Sequence, residues 1–383
     1  MPEIVVRPYE DRDRDEAFSV LALTYNDGRE IEPEERRWRL TAGYVAVLDG
    51  RIVGVYGILP LTCTRGEAVL THGGIAGVAV LPEHRRTGVG SAMLRYAPGR
   101  MRAEGLHLGS LYAYREAWYR KFGFEVAGRR LEIKCPVSRL PKVRTDLPIR
   151  RLGPGDWRIF QPCFEAWAKE RSGMSLRSET LWGRFLNESK PNAIYVAGDP
   201  VEGYVALSHQ TAFWADQRLS EVVWSTERGY QACLEIMTHL GINKESLTWY
   251  EPSDSPFYTR HLDQGITVRL ERPIMFRVND VPESLRRLKP RSEGRFTVAV
   301  DDELVPENRG PWSVVYSPEE VRVEPADDAD IALDIRQWTQ AFLGEPSLED
   351  LRRLGLVGVR NQAGFASAAQ LLTPLPTYCG EFF

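Results

Sequence analysis

The residues best suited to chemistry lie in GVAVLPEHRRTGVGSAM, positions 77–93. An apolar strand over 77–81 runs through Pro82 into Arg85-Arg86-Thr87-Gly88-Val89-Gly90, and a helical pattern follows at once. Glycines let the backbone approach a ligand closely. The unpaired N–H groups of a helix's first turn, aided by the helix dipole, form an anion site. Arg85 or Arg86 adds charge-assisted bonds. By itself R-x-x-G-x-G marks little more than a helix entry. Here it follows an apolar strand and a proline, opens a helix, and precedes Trp118-Tyr119-Arg120-Lys121-Phe122-Gly123-Phe124 downstream. A dinucleotide turn calls for G-x-G-x-x-G after the first strand. These glycines follow the fourth strand, which makes dinucleotide binding the poorer reading.

The surrounding pattern supplies the scaffold. Strands are expected at 4–7, 44–48, 51–59, 75–81, 108–112 and 124–133, with Asp49-Gly50 as a tight hairpin. Helices are expected over 13–24, 34–41 and 88–103, the last bent or broken at Pro98 and Gly99. A second unit echoes the first: IRRLGPGDWRIFQPCFEAW repeats the strand, turn and helix of VVRPYEDRDRDEAFSVLAL, and YVAGDPVEGYVAL repeats the hairpin. Such repetition argues for duplication. The join falls in the proline-rich stretch 136–148. At the position of the glycine turn the second unit reads Glu227-Arg228-Gly229-Tyr230, so one coenzyme site per chain is expected. A third unit begins near RRLKPRSEGR, a basic run that reads as an exposed linker.

Composition narrows the class. The 383 residues suit two or three domains. Basic residues number 49 against 53 acidic ones, a net charge of −4, so no general attraction to nucleic acid or anionic lipid is expected. The five cysteines are scattered and never form C-x-x-C, which argues against a disulfide frame or zinc site. The charged N-terminus lacks a signal-peptide core, and the apolar stretches are too short to span a bilayer. A cytoplasmic protein bound to neither nucleic acid nor membrane is expected.

The combination of strand, R-R-x-G-x-G and Y-x-K-F-G-F resembles the GNAT acetyltransferases across residues 4–133. The whole layout is similar to the Eis-type branch: a GNAT unit (1–140), a degenerate GNAT unit (141–285) and a sterol-carrier-like unit (286–383). The third unit carries that likeness in EGRFTVAVDDE, Asn308-Arg309-Gly310 and ADIALDIRQWTQAFLGEPSLEDLRRLG. The implied fold class is α/β (α+β), with tandem GNAT folds of mixed sheets flanked by helices, then an α+β domain. The resemblance implies acetyl-CoA as cosubstrate, no metal, an amine or lysine acceptor, and a homo-oligomer, in that family a hexamer. By the same resemblance Val78, Ala79 and Val80 face pantetheine and Arg86, Thr87, Gly88, Val89, Gly90 and Ser91 cradle the phosphates. Tyr114 and Arg115 form a second coenzyme contact, and Tyr119 protonates the departing thiolate. The Phe383 carboxylate acts as base, and Asp27 and Trp38 line the acceptor pocket. Gly77 stands where some relatives carry a bulky aromatic, which implies a wider pocket here. A lipid or acyl-CoA binding protein with a vestigial transferase site is the competing reading.

Overall fold

The computed structural model describes residues 3–31, 43–186, 193–208, 216–271 and 274–381. The helix expected over 34–41, together with Trp38 and Phe383, lies outside the described residues.

The first sheet orders β1 (Val5–Pro8), β2 (Gly43–Leu48), β3 (Arg51–Arg65), β4 (Ala68–Val80) and β5 (Leu108–Leu111) side by side. Asp49 and Gly50, both left-handed with φ of 50° and 77°, close the β2–β3 hairpin as the dipeptide predicts. Side chains alternate across the sheet. Val45, Val55 and Ala79 pack with helix α1 (Arg14–Tyr25), whereas Ala46, Tyr56 and Ile75 pack with helix α2 (Val89–Ala103). Helix α2 runs unbroken through Pro98, contrary to expectation. Met93, Leu94, Ala97 and Met101 are fully buried on its inner face, and that burial outweighs the one backbone hydrogen bond proline removes.

β3 and β4 are longer than their patterns suggest. Their far arms place Cys63 and Leu70 in the core of the third unit, and β9 (Ser172–Ser175) adds to β3 there. The strand expected over 124–133 is instead two. β6 (Glu125–Val126) stops just before Gly128, where φ is +79° and a side chain would collide with the Thr377 carbonyl, and β7 (Arg130–Pro136) begins a different sheet.

The two sheets exchange strands. β7 pairs with β13 (Ser246–Pro252) and β14 (Thr267–Glu271) of the second sheet. In return β15 (Met275–Val278) inserts between β5 and β6 in the first. The second sheet continues through β12 (Gln217–Trp224), β11 (Gly203–Leu207), β10 (Ala193–Ala197) and β8 (Ile149–Leu152). Each of these sheets holds one parallel pair, β4–β5 and β12–β13, among antiparallel neighbours, as the repeat implies. The third sheet contains five strands between 294 and 359, with helices Ile335–Leu343 and Gln362–Leu371 burying Trp338, Phe342 and Phe365. All five cysteines are buried and unpaired. Among the described residues no helix is long and apolar enough to cross a membrane, and no side-chain cluster could hold a metal ion.

Candidate active site

β4 pairs with β5 only from His72 to Ile75, and β5 stops at Leu111. β4 continues to Val80, so past Ile75 that edge has no strand partner among the described residues. Backbone groups on such an edge are open to a ligand. A bulge sharpens the divergence, because Val55 faces Ala79 and Gly57 faces Ala76, leaving Gly77 and Val78 opposite Tyr56. Gly77 takes φ of +61°, a conformation that glycine adopts without steric cost. The Tyr25 hydroxyl donates to the Val78 carbonyl at 2.8 Å, and Arg85 Nε donates to the Val80 carbonyl at 3.2 Å. Val78 and Val80 lie half-buried on the α2 side, whereas Ala79 is buried beneath α1.

The turn that follows bends through two left-handed residues. Arg86 and Gly88 are left-handed, with φ of 65° and 102°. For arginine this conformation costs about 1–2 kcal/mol, a strain that clusters at functional sites. The Thr87 hydroxyl closes the turn by donating to the His84 carbonyl at 2.7 Å. Gly88 caps α2 without any side-chain hydrogen bond, which leaves the first-turn amides of Val89, Gly90 and Ser91 uncapped. The corresponding helix of the second unit, α3 (Glu227–Leu240), is closed off instead. Thr226 Oγ1 accepts from the Gly229 amide at 3.0 Å, and a Cβ on Gly229 would lie 2.0 Å from the Glu202 carbonyl oxygen. No ligand fits between them.

Tyr119 ends a short helical turn, Glu116–Tyr119, and is 4% exposed. Its ring packs edge-on against Trp118 (centroids 4.7 Å apart) and Tyr114 (6.2 Å). Burial pushes its phenol pKa well above the usual tyrosine range, and the Tyr114 and Tyr25 phenols push the same way, so Tyr119 carries its proton at neutral pH. Three residues on, the Phe122 carbonyl accepts from Arg277 Nε at 3.0 Å. Arg277 lies on β15, is fully buried, and forks onto Asp302 of the third unit at 2.6 and 2.8 Å. Asn308 Nδ2 and the amides of Leu304 and Val305 complete the shell around Asp302.

The chain's last segment also reaches this region. Ser172 exchanges backbone bonds with it: the Ser172 amide donates to the Pro376 carbonyl and the Ser172 carbonyl accepts from the Tyr378 amide, each at 2.9 Å. The Glu381 carbonyl accepts from the hydroxyl of Tyr112, the residue directly after β5.

Residues 5–127 match the acetyltransferase (GNAT) domain family, and residues 281–380 match the sterol carrier protein domain family. The first unit has the GNAT fold. The arrangement is Eis-like. N-acetyltransferase Eis of Mycobacterium tuberculosis is 31% identical over a stretch covering 45% of this chain and 47% of that protein, so the chain spans about half the length of the curated relatives it matches. Two solved structures share the fold along the whole of both chains. One is a GCN5-related N-acetyltransferase from Anabaena variabilis (TM-score 0.88, 19% identity), and the other is Eis1 from Mycobacterium abscessus (TM-score 0.79, 20% identity).

Within this GNAT domain the structure gathers Val78, Ala79, Val80 and the turn Arg85–Ser91 along one continuous path from β4 into α2. Tyr114 sits against Tyr119 but is 72% exposed, and Arg115 is exposed beside it. Asp27 occupies the exposed turn after α1 with φ of 51°, two residues from Tyr25. Tyr25 was not singled out by sequence reading. Its signal was slight, a tyrosine at the end of a helix in LTYNDGRE.

Proposed function

We propose that this chain is an acetyl-CoA-dependent N-acetyltransferase acting on an amine. The reading rests chiefly on the parting of β4 from β5 together with the uncapped, left-handed turn that opens α2. Val78, Ala79 and Val80 line the pantetheine arm, and Arg86, Thr87, Gly88, Val89, Gly90 and Ser91 take the phosphates, supplying amide donors where negative charge is greatest. Arg85, Tyr114 and Arg115 add outer contacts. A β4 amide past Ile75 steadies the oxygen of the thioester carbonyl as negative charge grows on it. The acceptor ammonium loses one proton to the Phe383 carboxylate, the freed amine nitrogen bonds to that carbon, the carbon–sulfur bond breaks, Tyr119 gives its proton to sulfur, and the second proton shed by the nitrogen restores the Tyr119 phenol. Asp27 and Trp38 draw the cationic acceptor in.

Titration calorimetry with acetyl-CoA tests the reading. At Gly88 a valine would have to hold φ near +102°, which costs at least roughly 1–2 kcal/mol and redirects the amides. The Gly88→Val chain is therefore expected to bind acetyl-CoA about tenfold more weakly or worse. Absence of heat from the native chain, or an unchanged Kd in the variant, removes the site from this turn. Thiol release measured with polyamines, aminoglycosides and lysine peptides then separates the acceptor classes.

A further inference from the structure

The second unit has no phosphate turn, yet its own parallel strands diverge as those of the first do. β12 pairs with β13 only at Gln217–Arg218, opposite Leu247–Thr248. Past that point lies a cavity of about 290 Å³, lined by Ser220, Glu221, Trp167 and Tyr250. Arg130, Arg184 and Phe185 also line it, and one further wall is the C-terminal segment, Tyr378, Gly380 and Glu381. Where the strands of the second unit part, the opening is thus bordered by the chain's own tail.

A buried arginine fastens that tail. Arg177 is 1% exposed at its side chain, stacked by the rings of Phe164, Trp182 and Phe185 at 4.4, 4.6 and 4.0 Å. It donates to both oxygens of Glu221 at 3.0 and 2.6 Å, and its Nε donates to the Glu381 carboxylate. Tyr204 donates to Glu221 from the far side. Burial alone would lower the guanidinium pKa, but Glu221 and Glu381 raise it well above its usual value, so the charge persists. A guanidinium with carboxylates on two sides is a directional clamp, because its planar fork fixes the orientation of what it holds. Glu381 is thereby gripped at its side chain by the second unit and at its carbonyl by Tyr112 of the first.

We infer that the second unit serves as a receptacle for the tail, with Arg177 as a positioning residue that fixes Glu381 against Tyr112, the residue directly after β5. The inference rests on the proposed transferase reading for its catalytic consequence, and on the Arg177–Glu381–Tyr112 contacts for its structural one.

Glu381→Gln in the full chain tests it, since the substitution lies in the tail and leaves the Arg177–Glu221 pair intact. Two readouts are taken. Hydrogen exchange of the peptide containing Tyr378–Glu381 is expected to quicken about tenfold or more, as in Arg177→Lys, while peptides from α2 keep their protection. In steady-state acetyl transfer, kcat is expected to fall about tenfold with an unchanged KM for acetyl-CoA. The Arg177→Lys/Glu381→Gln pair should be no worse than Arg177→Lys alone. Unchanged tail exchange overturns the clamp whether or not the chain turns over. Quickened exchange with native kcat overturns the positioning role and leaves the transferase reading standing. If acetyl-CoA produces no heat, the transferase reading falls separately.

Discussion

Replacing Tyr119 by phenylalanine is expected to lower kcat by about two to three orders of magnitude while leaving the Kd for acetyl-CoA within about twofold. The hydroxyl is a single atom at a residue otherwise held by Trp118 and Tyr114, so phenylalanine keeps the packing and removes only the donor. A buried phenol gives up its proton reluctantly, and at first sight that weakens it as an acid. The same low-dielectric surroundings raise the proton affinity of a thiolate forming beside it. Burial pushes the Cys135 and Cys163 thiols of this chain up to about 11. The two effects run together, and a neutral donor beside developing negative charge on sulfur remains favourable. Single-turnover rates and calorimetry on the same preparation decide the matter. Equal losses in rate and affinity would make Tyr119 a packing residue and nothing more.

Asp302→Ala is expected to cost about 3–5 kcal/mol of stability, because it leaves the fully buried Arg277 without a counter-charge. The loss reaches further than the third unit. Arg277 also holds the Phe122 carbonyl, so a guanidinium seeking water would pull on the turn that carries Tyr119. Asp302→Asn keeps the shape and an acceptor oxygen, and a smaller loss is expected. Urea midpoints of the two variants, read beside kcat, provide the comparison. A native midpoint for Asp302→Ala would mean that the ion pair contributes nothing net.

How much of this was legible beforehand depended on range. The β4 strand, the Arg85–Ser91 turn and the Tyr119 segment were readable because each signals locally, through glycine spacing, apolar runs and a short motif. The repeat was readable because it duplicates patterns. Partners across the sheet were not. Periodicity indicates that Arg130–Pro136 is a strand but carries no information on which sheet receives it, and a glycine at 128 looks like a pause rather than a crossing. Pro98 misled for the opposite reason, since local propensity was overruled by buried neighbours. Arg177 in MSLRSET is an ordinary polar residue until Glu221 and Glu381, 44 and 204 positions away, arrive on either side. Tyr25 is a tyrosine like any other until its hydroxyl is found on Val78.

The traded strands also dictate an order of assembly on the ribosome. β5 emerges some 160 residues before β15, the neighbour that covers it, and until then presents a bare edge able to recruit any passing chain. β7 is made early as well and waits for β13 and β14. A gene cut at residue 140 would therefore yield insoluble product in spite of encoding every residue of the phosphate turn, whereas the full-length gene, which supplies β13, β14, β15 and Asp302, would release soluble protein. Compared as soluble yield, those two lengths show whether the halves are born as one body.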